Sequence, residues 1–109
     1  MIQVKQISVE ELEKKIKGTE KFQLIDCREP DEYETCRIDG STLIPLSQFA
    51  QEALSQLKPD EEIVIHCHHG GRSQRACEFL LAKGYKNVSN VSGGIDAWSA
   101  RIDSTVPRY

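Results

Sequence analysis

The run Ile63-Val64-Ile65 is apolar without alternation, so it reads as a strand buried on both faces. Downstream, Ala76, Cys77, Leu80 and Leu81 recur at a helical period and predict a helix that Lys83-Gly84 ends. Upstream, Met1 to Ile7 predicts a short first strand. Ser8 then starts a helix, with Glu11 completing a capping box. Val9, Leu12 and Ile16 supply the apolar face of that helix. Glu10 with Lys14, Glu11 with Lys15 and Glu13 with Lys17 face each other on its wet side, and Gly18 ends it. Phe22 to Cys27 predicts the next strand, and Pro30 followed by Asp31 and Glu32 predicts a short helix. Thr42-Leu43-Ile44 reads as a strand stopped by Pro45. Ser47 is expected to cap a helix carrying Phe49, Ala50, Ala53, Leu54 and Leu57, followed by a turn at Pro59-Asp60. Asn87 to Val91 is the last strand signal, and Gly93-Gly94 lead into a helix with Ile95 and Trp98. Asp103 to Tyr109 lacks periodicity and reads as an irregular tail.

Strands separated by helical crossovers imply an α/β fold, with a mainly parallel central sheet and helices on both faces. Ligands of such sheets sit beyond the carboxyl ends of the strands, and Cys67 stands at one of those ends. The length of 109 residues suits one domain over residues 1–109, and no repeat, linker or low-complexity segment divides it. Hydrophobic residues at 39% and charged residues at 28% fit a soluble globular protein. The net charge of -3 is small and the Lys and Arg residues are scattered, which argues against a nucleic-acid groove or an anionic membrane surface. No apolar run reaches membrane-span length, and the start of the chain lacks the apolar core of a signal peptide. The cytoplasm is therefore the expected compartment. Cys27, Cys36, Cys67 and Cys77 show no paired short spacing, so a disulfide framework is not expected.

The chemistry concentrates at His66-Cys67-His68-His69-Gly70-Gly71-Arg72-Ser73. A strand delivers one cysteine into a glycine-containing loop that opens a helix. Backbone N–H groups at a helix start lack helical partners and attract negative charge. Gly70 and Gly71 are expected to let the loop curl so that several N–H groups point at one centre, and Arg72 adds a fixed cation. Such surroundings favour a thiolate, which makes Cys67 the candidate nucleophile.

The other residues carry blander readings. His66, His68 and His69 surround Cys67, but no second ligand pair stands at zinc-like spacing and neighbouring side chains are expected to diverge, so no metal site is expected. Asp26 is expected to accept backbone hydrogen bonds at a strand end, and Arg28 to pair with a nearby carboxylate. Arg72 either neutralises an incoming anion or braces the loop, and Ser73 either caps the helix or donates to sulfur. Trp98 and Cys77 read as core. Cys27 and Cys36 have no activating motif, and Cys36 is a candidate for exposure.

Three separated segments carry a resemblance to a known family. The first is Asp26-Cys27-Arg28-Glu29-Pro30-Asp31-Glu32-Tyr33, with Ile38-Asp39-Gly40 and Ile44-Pro45 after it. The second is Cys67-His68-His69-Gly70-Gly71-Arg72-Ser73, and the third is Gly93-Gly94-Ile95-Asp96-Ala97-Trp98. In this order they resemble the single-domain rhodaneses, which are thiosulfate:thiol sulfurtransferases. The resemblance implies a rhodanese-like α/β fold and a persulfide formed on Cys67. Thiosulfate or a persulfide is then the donor, and a thiol, cyanide or a protein is the acceptor. No metal or organic cofactor takes part. It makes Cys67 catalytic and gives His68, His69, Gly70, Gly71, Arg72 and Ser73 to substrate binding. Where many members have Gly-His before the Ile, this chain has Cys36-Arg37. The ending Val106-Pro107-Arg108-Tyr109 is similar to rhodanese domains appended to sulfur-carrier-activating enzymes.

Two alternatives remain open at the level of sequence. Cysteine phosphatases, and the related arsenate reductases, offer the same nucleophile. Phosphatase loops place five residues between Cys and Arg, whereas four separate Cys67 from Arg72. A rhodanese-fold interaction module without turnover is the other, and it has no use for a retained nucleophile.

Overall fold

Strand β4 (Ile63–His66) occupies the centre of the sheet and is buried along its whole length, as its unbroken apolar sequence requires. A computed structural model describes residues 2–109. The order of elements is β1 (Lys5–Ile7), α1 (Val9–Lys17), β2 (Gln23–Asp26), α2 (Pro30–Thr35), β3 (Thr42–Leu43), α3 (Phe49–Gln56), β4, α4 (Gly71–Ala82), β5 (Val88–Val91) and α5 (Gly94–Arg101). The strands lie in the order β1-β5-β4-β2-β3, and every pairing is parallel.

Alternation along the strands divides the core in two. On one face Ile25 and Ile65 pack with Phe49 and Ala53 of α3 and with Ala76 and Leu80 of α4. On the other, Leu24 and Val64 pack with Val9 and Leu12 of α1 and with Ile95 and Trp98 of α5. Helices thus cover both faces, as expected from the alternating pattern. The carboxyl ends of β2 and β4 lie side by side, because Asp26 is in register with His66.

Several local expectations change. The first strand is confined to Lys5–Ile7, where it meets Ser89 to Val91 of β5; Met1 lies outside the described residues. The capping box of Ser8 and Glu11 forms as expected. Only Glu13 and Lys17 of the three anticipated α1 pairs meet, at 3.2 Å. Lys15 turns to Glu62 and Glu10 turns to Arg101, since longer-range carboxylates and cations compete for them. Ile16 is 40% exposed because it lies in the last turn of α1, at the rim of a groove rather than over the sheet. Ser47 does not cap α3. Pro45 leads into a single 3-10 turn over Leu46–Gln48, and the Ser47 hydroxyl donates instead to Glu29 at 2.8 Å. Cys36 is buried, among Leu24, Val64 and Trp98.

Candidate active site

Cys67 follows β4 directly and is 1% exposed. Three groups converge on its sulfur. The N–H of Gly70 donates to Sγ at 3.1 Å, and the Ser73 hydroxyl stands 3.4 Å from it. The third is the Cys27 side chain, one residue beyond β2 and in the same core cluster, whose thiol helps to hold the Cys67 sulfur as an anion. The Cys27 thiol, Ser73 and the Gly70 N–H together lower the Cys67 pKa to about 4 against the opposing effect of burial. Cys27 moves the other way: beside the Cys67 sulfur, and buried, it holds its proton far more firmly than an ordinary thiol. The two sulfurs are thus pushed in opposite directions, Cys67 toward the thiolate and Cys27 toward the thiol.

The loop is shaped from three sides. Gly70 has a φ of +122°, a conformation that strains any residue with a Cβ. Its carbonyl accepts from Asn90 Nδ2 of β5 and from the Ser73 hydroxyl, each at 3.2 Å. That hydroxyl also lies against Asn90 Oδ1, so its single hydrogen is shared among Cys67, Gly70 and Asn90. Gly71, expected to curl the loop with Gly70, is instead an ordinary first residue of α4 with open space around it.

From below, α5 docks on the loop. The N–H groups of Ile95 and Asp96 donate to the carbonyls of Cys67 and His68 at 2.9 and 3.1 Å. A trans peptide points its N–H opposite to its carbonyl, so the N–H groups of His68 and His69 face away from α5. Gly94 permits this approach: its φ is +57°, and a Cβ there would collide with both carbonyls.

Arg72 and Glu32 of α2 brace the third side. Their two hydrogen bonds measure 2.6 and 2.8 Å. Arg72 holds the Glu32 pKa down to about 2. The guanidinium is thus matched by a carboxylate, and the bracing role anticipated for Arg72 is the one the geometry displays. Asp26 and Arg28 are fully buried and paired through bonds of 2.6 to 3.1 Å, with Asp26 also accepting the Arg28 N–H at 3.0 Å. Both therefore serve the structural role expected of them. His66 is buried beside them, and desolvation lowers its pKa, keeping it neutral.

The rim carries His68, His69 and Tyr109, a residue of the irregular tail to which the sequence assigns no site role. The Tyr109 hydroxyl accepts from Arg28 and donates to Glu32, both at 2.8 Å, and its ring lies 4.3 Å from that of His68. His68 and His69 do not diverge, because they sit in a loop rather than a strand: their Nδ1 atoms are 3.0 Å apart. With Asp96 they offer ligand-type atoms within 4.8 Å of one another. Arg108 already pairs with the Asp96 carboxylate at 3.0 and 3.2 Å, which offsets the charge a cation would need. The groove of about 360 Å³ beside Ile16, Ile38, Trp98 and Val106 does not include Cys67.

Cys27, Glu32, Asn90, Gly94 and Tyr109 thus join the anticipated loop. Cys27, Glu32 and Gly94 lie within the family-like segments; Cys27, expected as the last residue of its strand, stands one residue past β2 as Cys67 stands past β4. Tyr109 closes the family-like ending Val106-Pro107-Arg108-Tyr109, which does not say where the ring packs, and Asn90 carried no local signal.

Residues 8–101 match the rhodanese-like domain family. A protein of Allochromatium vinosum named "Sulfurtransferase" is 34% identical over 96 residues, covering 88% of this chain and 89% of that protein. "Rhodanese-like/PpiC domain-containing protein 12, chloroplastic" of Arabidopsis thaliana is 39% identical over 112 residues, which is 97% of this chain but only 38% of the Arabidopsis protein. The crystal structure of a rhodanese-like domain protein from Staphylococcus aureus superposes with a TM-score of 0.82 at 29% identity, over 97% of this chain and 99% of that one. With the fold, the loop and the matched length in agreement, the chain belongs to the rhodanese-like domain family.

Proposed function

We propose that this chain is a sulfurtransferase that carries a sulfane sulfur on Cys67. The observation that carries the reading is the Cys67 sulfur itself: a thiolate at the head of α4, held by the Gly70 N–H, Ser73 and the Cys27 thiol. In the first half-reaction the thiolate attacks the outer sulfur of thiosulfate, or of a persulfide donor. The S–S bond breaks, sulfite or the donor thiolate leaves, and Cys67 becomes a persulfide. In the second, a thiol, cyanide or a protein acceptor attacks the outer sulfur, and the Cys67 thiolate leaves with the bonding pair. The groups that hold the thiolate would hold the persulfide anion equally well. His68 and His69 line the approach, and Gly70, Gly71, Arg72 and Ser73 supply and brace the cradle.

The name of the Allochromatium relative supports sulfur transfer as the reaction class. Near-complete burial of Cys67 supports a donor that inserts one atom rather than a bulky group. Among the described residues no helix is long and apolar enough to cross a membrane. A reducing compartment such as the cytoplasm, which keeps Cys67 as a thiol, is the proposed setting. The test is intact mass after incubation with thiosulfate. One added sulfur mapped to Cys67, and absent in Cys67→Ser together with turnover, is the expected result. Turnover that survives in Cys67→Ser would overturn the mechanism.

A further inference from the structure

Cys27 contacts the reactive sulfur but has no covalent role in the chemistry above. The backbone ladder explains why the two are adjacent. Ile25 pairs with Ile65 and Asp26 with His66, and the Cys27 N–H donates to the His66 carbonyl at 3.1 Å, carrying the register one residue further. Cys27 and Cys67 are therefore the next cross-strand pair. They point to the same face, within the core that holds Ile25 and Ile65. Neighbouring strands run about 4.8 Å apart, inside the span of about 4.4–6.8 Å between Cα atoms that a disulfide bridges. The neighbouring Cys67 sulfur and burial both push the Cys27 thiol up, so it stands protonated beside its partner.

We propose that Cys27 and Cys67 form a reversible disulfide, with Cys27 resolving a Cys67 that a peroxide has oxidised. The Cys67 thiolate attacks one oxygen of hydrogen peroxide, the O–O bond breaks, and hydroxide leaves; Cys67 becomes a sulfenic acid. The Cys27 sulfur then attacks the Cys67 sulfur. The S–O bond breaks, the departing oxygen takes the Cys27 proton, and water leaves. Both sulfurs are oxidised to the disulfide and the peroxide is reduced to water. Reduction by an external dithiol restores the pair. Once Cys67 is a sulfenic acid it is no longer an anion, so the thiolate that held the Cys27 proton in place is gone. The disulfide shields Cys67 from the irreversible sulfinic and sulfonic states.

The inference needs a reactive Cys67 but no sulfur donor, so its readout is independent of the proposed sulfur transfer. The experiment treats the reduced protein with hydrogen peroxide and reads intact mass and a peptide map. The wild type is expected to lose about 2 Da, to show the Cys27 and Cys67 peptides linked, and to recover its free thiols with dithiothreitol. Cys27→Ser and Cys27→Ala are both expected to abolish that loss and to gain about 32 Da or more on Cys67, which a dithiol does not reverse. Cys77 shares the same core and Cys36 lies across the sheet, so Cys77→Ala and Cys36→Ala should leave the linkage in place. A 2 Da loss that persists in both Cys27 variants, or a wild type that gains oxygen without linking, would overturn the proposal.

Discussion

Glu32 and Arg72, forty residues apart in sequence, clasp through two parallel hydrogen bonds of 2.6 and 2.8 Å. This clasp joins α2 to the head of α4 and fixes the side of the loop that α5 does not reach. Glu32→Gln removes the charge but keeps the shape. It should cost about 1–2 kcal/mol, since the pair is partly exposed and screened. The pH dependence has a definite sign. The folded Glu32 pKa is depressed from 4.5 to about 2, so its contribution is complete above the unfolded value and is lost as pH falls through the folded one. Urea melts of wild type and Glu32→Gln should therefore differ at neutral pH and converge between about pH 4.5 and 2. A constant difference down to pH 2 would contradict the pairing.

The charge state of Cys67 gives a second prediction. A thiol with a pKa of about 4 is already a thiolate at pH 6. Alkylation by iodoacetamide should therefore be nearly flat from about pH 6 to 9, where an ordinary thiol gains speed with pH. Cys27→Ala removes the largest stabilising contact and should move the inflection upward by at least about one unit. Ser73→Ala should move it in the same direction. An inflection near pH 8.5 in the wild type would show that the cradle does not hold the thiolate.

The loop itself was legible in the sequence because strand, cysteine, glycine and helix are contiguous there. Cys67, Gly70 and Ser73 meet through local geometry alone. Glu32, Cys27, Asn90 and Tyr109 meet the loop only because the sheet runs β1-β5-β4-β2-β3, and periodicity along the chain does not specify that order. The apolar alternation placed helices on both faces correctly. It could not place Ser47, whose cap position was taken by a 3-10 turn after Pro45, nor separate the roles of two adjacent glycines.

Those glycines can be told apart by substitution. Gly71 has space for a Cβ and lies within α4, so Gly71→Ala should be neutral or stabilise by up to about 1 kcal/mol. Gly70→Ala forces a Cβ onto a φ of +122° and should cost about 1–3 kcal/mol. Gly94→Ala should cost at least as much as Gly70→Ala, and should also impair sulfur loading, because its Cβ would push on the carbonyls of Cys67 and His68. Thermal melts with thiosulfate loading by mass spectrometry check all three. A tolerated Gly94→Ala would show that α5 does not set the loop.

The final prediction concerns which substrate the loop accepts. A cysteine phosphatase needs a loop that encircles three phosphate oxygens, a free cation and a protonated acid for the leaving group. Here four residues separate Cys67 from Arg72, and the Arg72 fork is occupied by Glu32. The carboxylates bordering the loop are poor acids: Arg72 holds the Glu32 pKa near 2, and Arg108 lowers that of Asp96. Lack of a general acid alone costs about 10²–10⁴ in rate. Thiosulfate needs no such proton, because sulfite leaves as a stable anion. The wild type should thus transfer sulfur from thiosulfate at least about 100-fold faster than it hydrolyses an aryl phosphate. Inserting one glycine between His69 and Gly70 should slow sulfur transfer, by pulling the Gly70 N–H off the sulfur it now meets at 3.1 Å. Paired assays on the unmodified protein decide the matter. Were aryl phosphate the faster substrate, with that activity lost in Cys67→Ser, the cradle would be one for phosphate and the sulfur-transfer reading would fall with it.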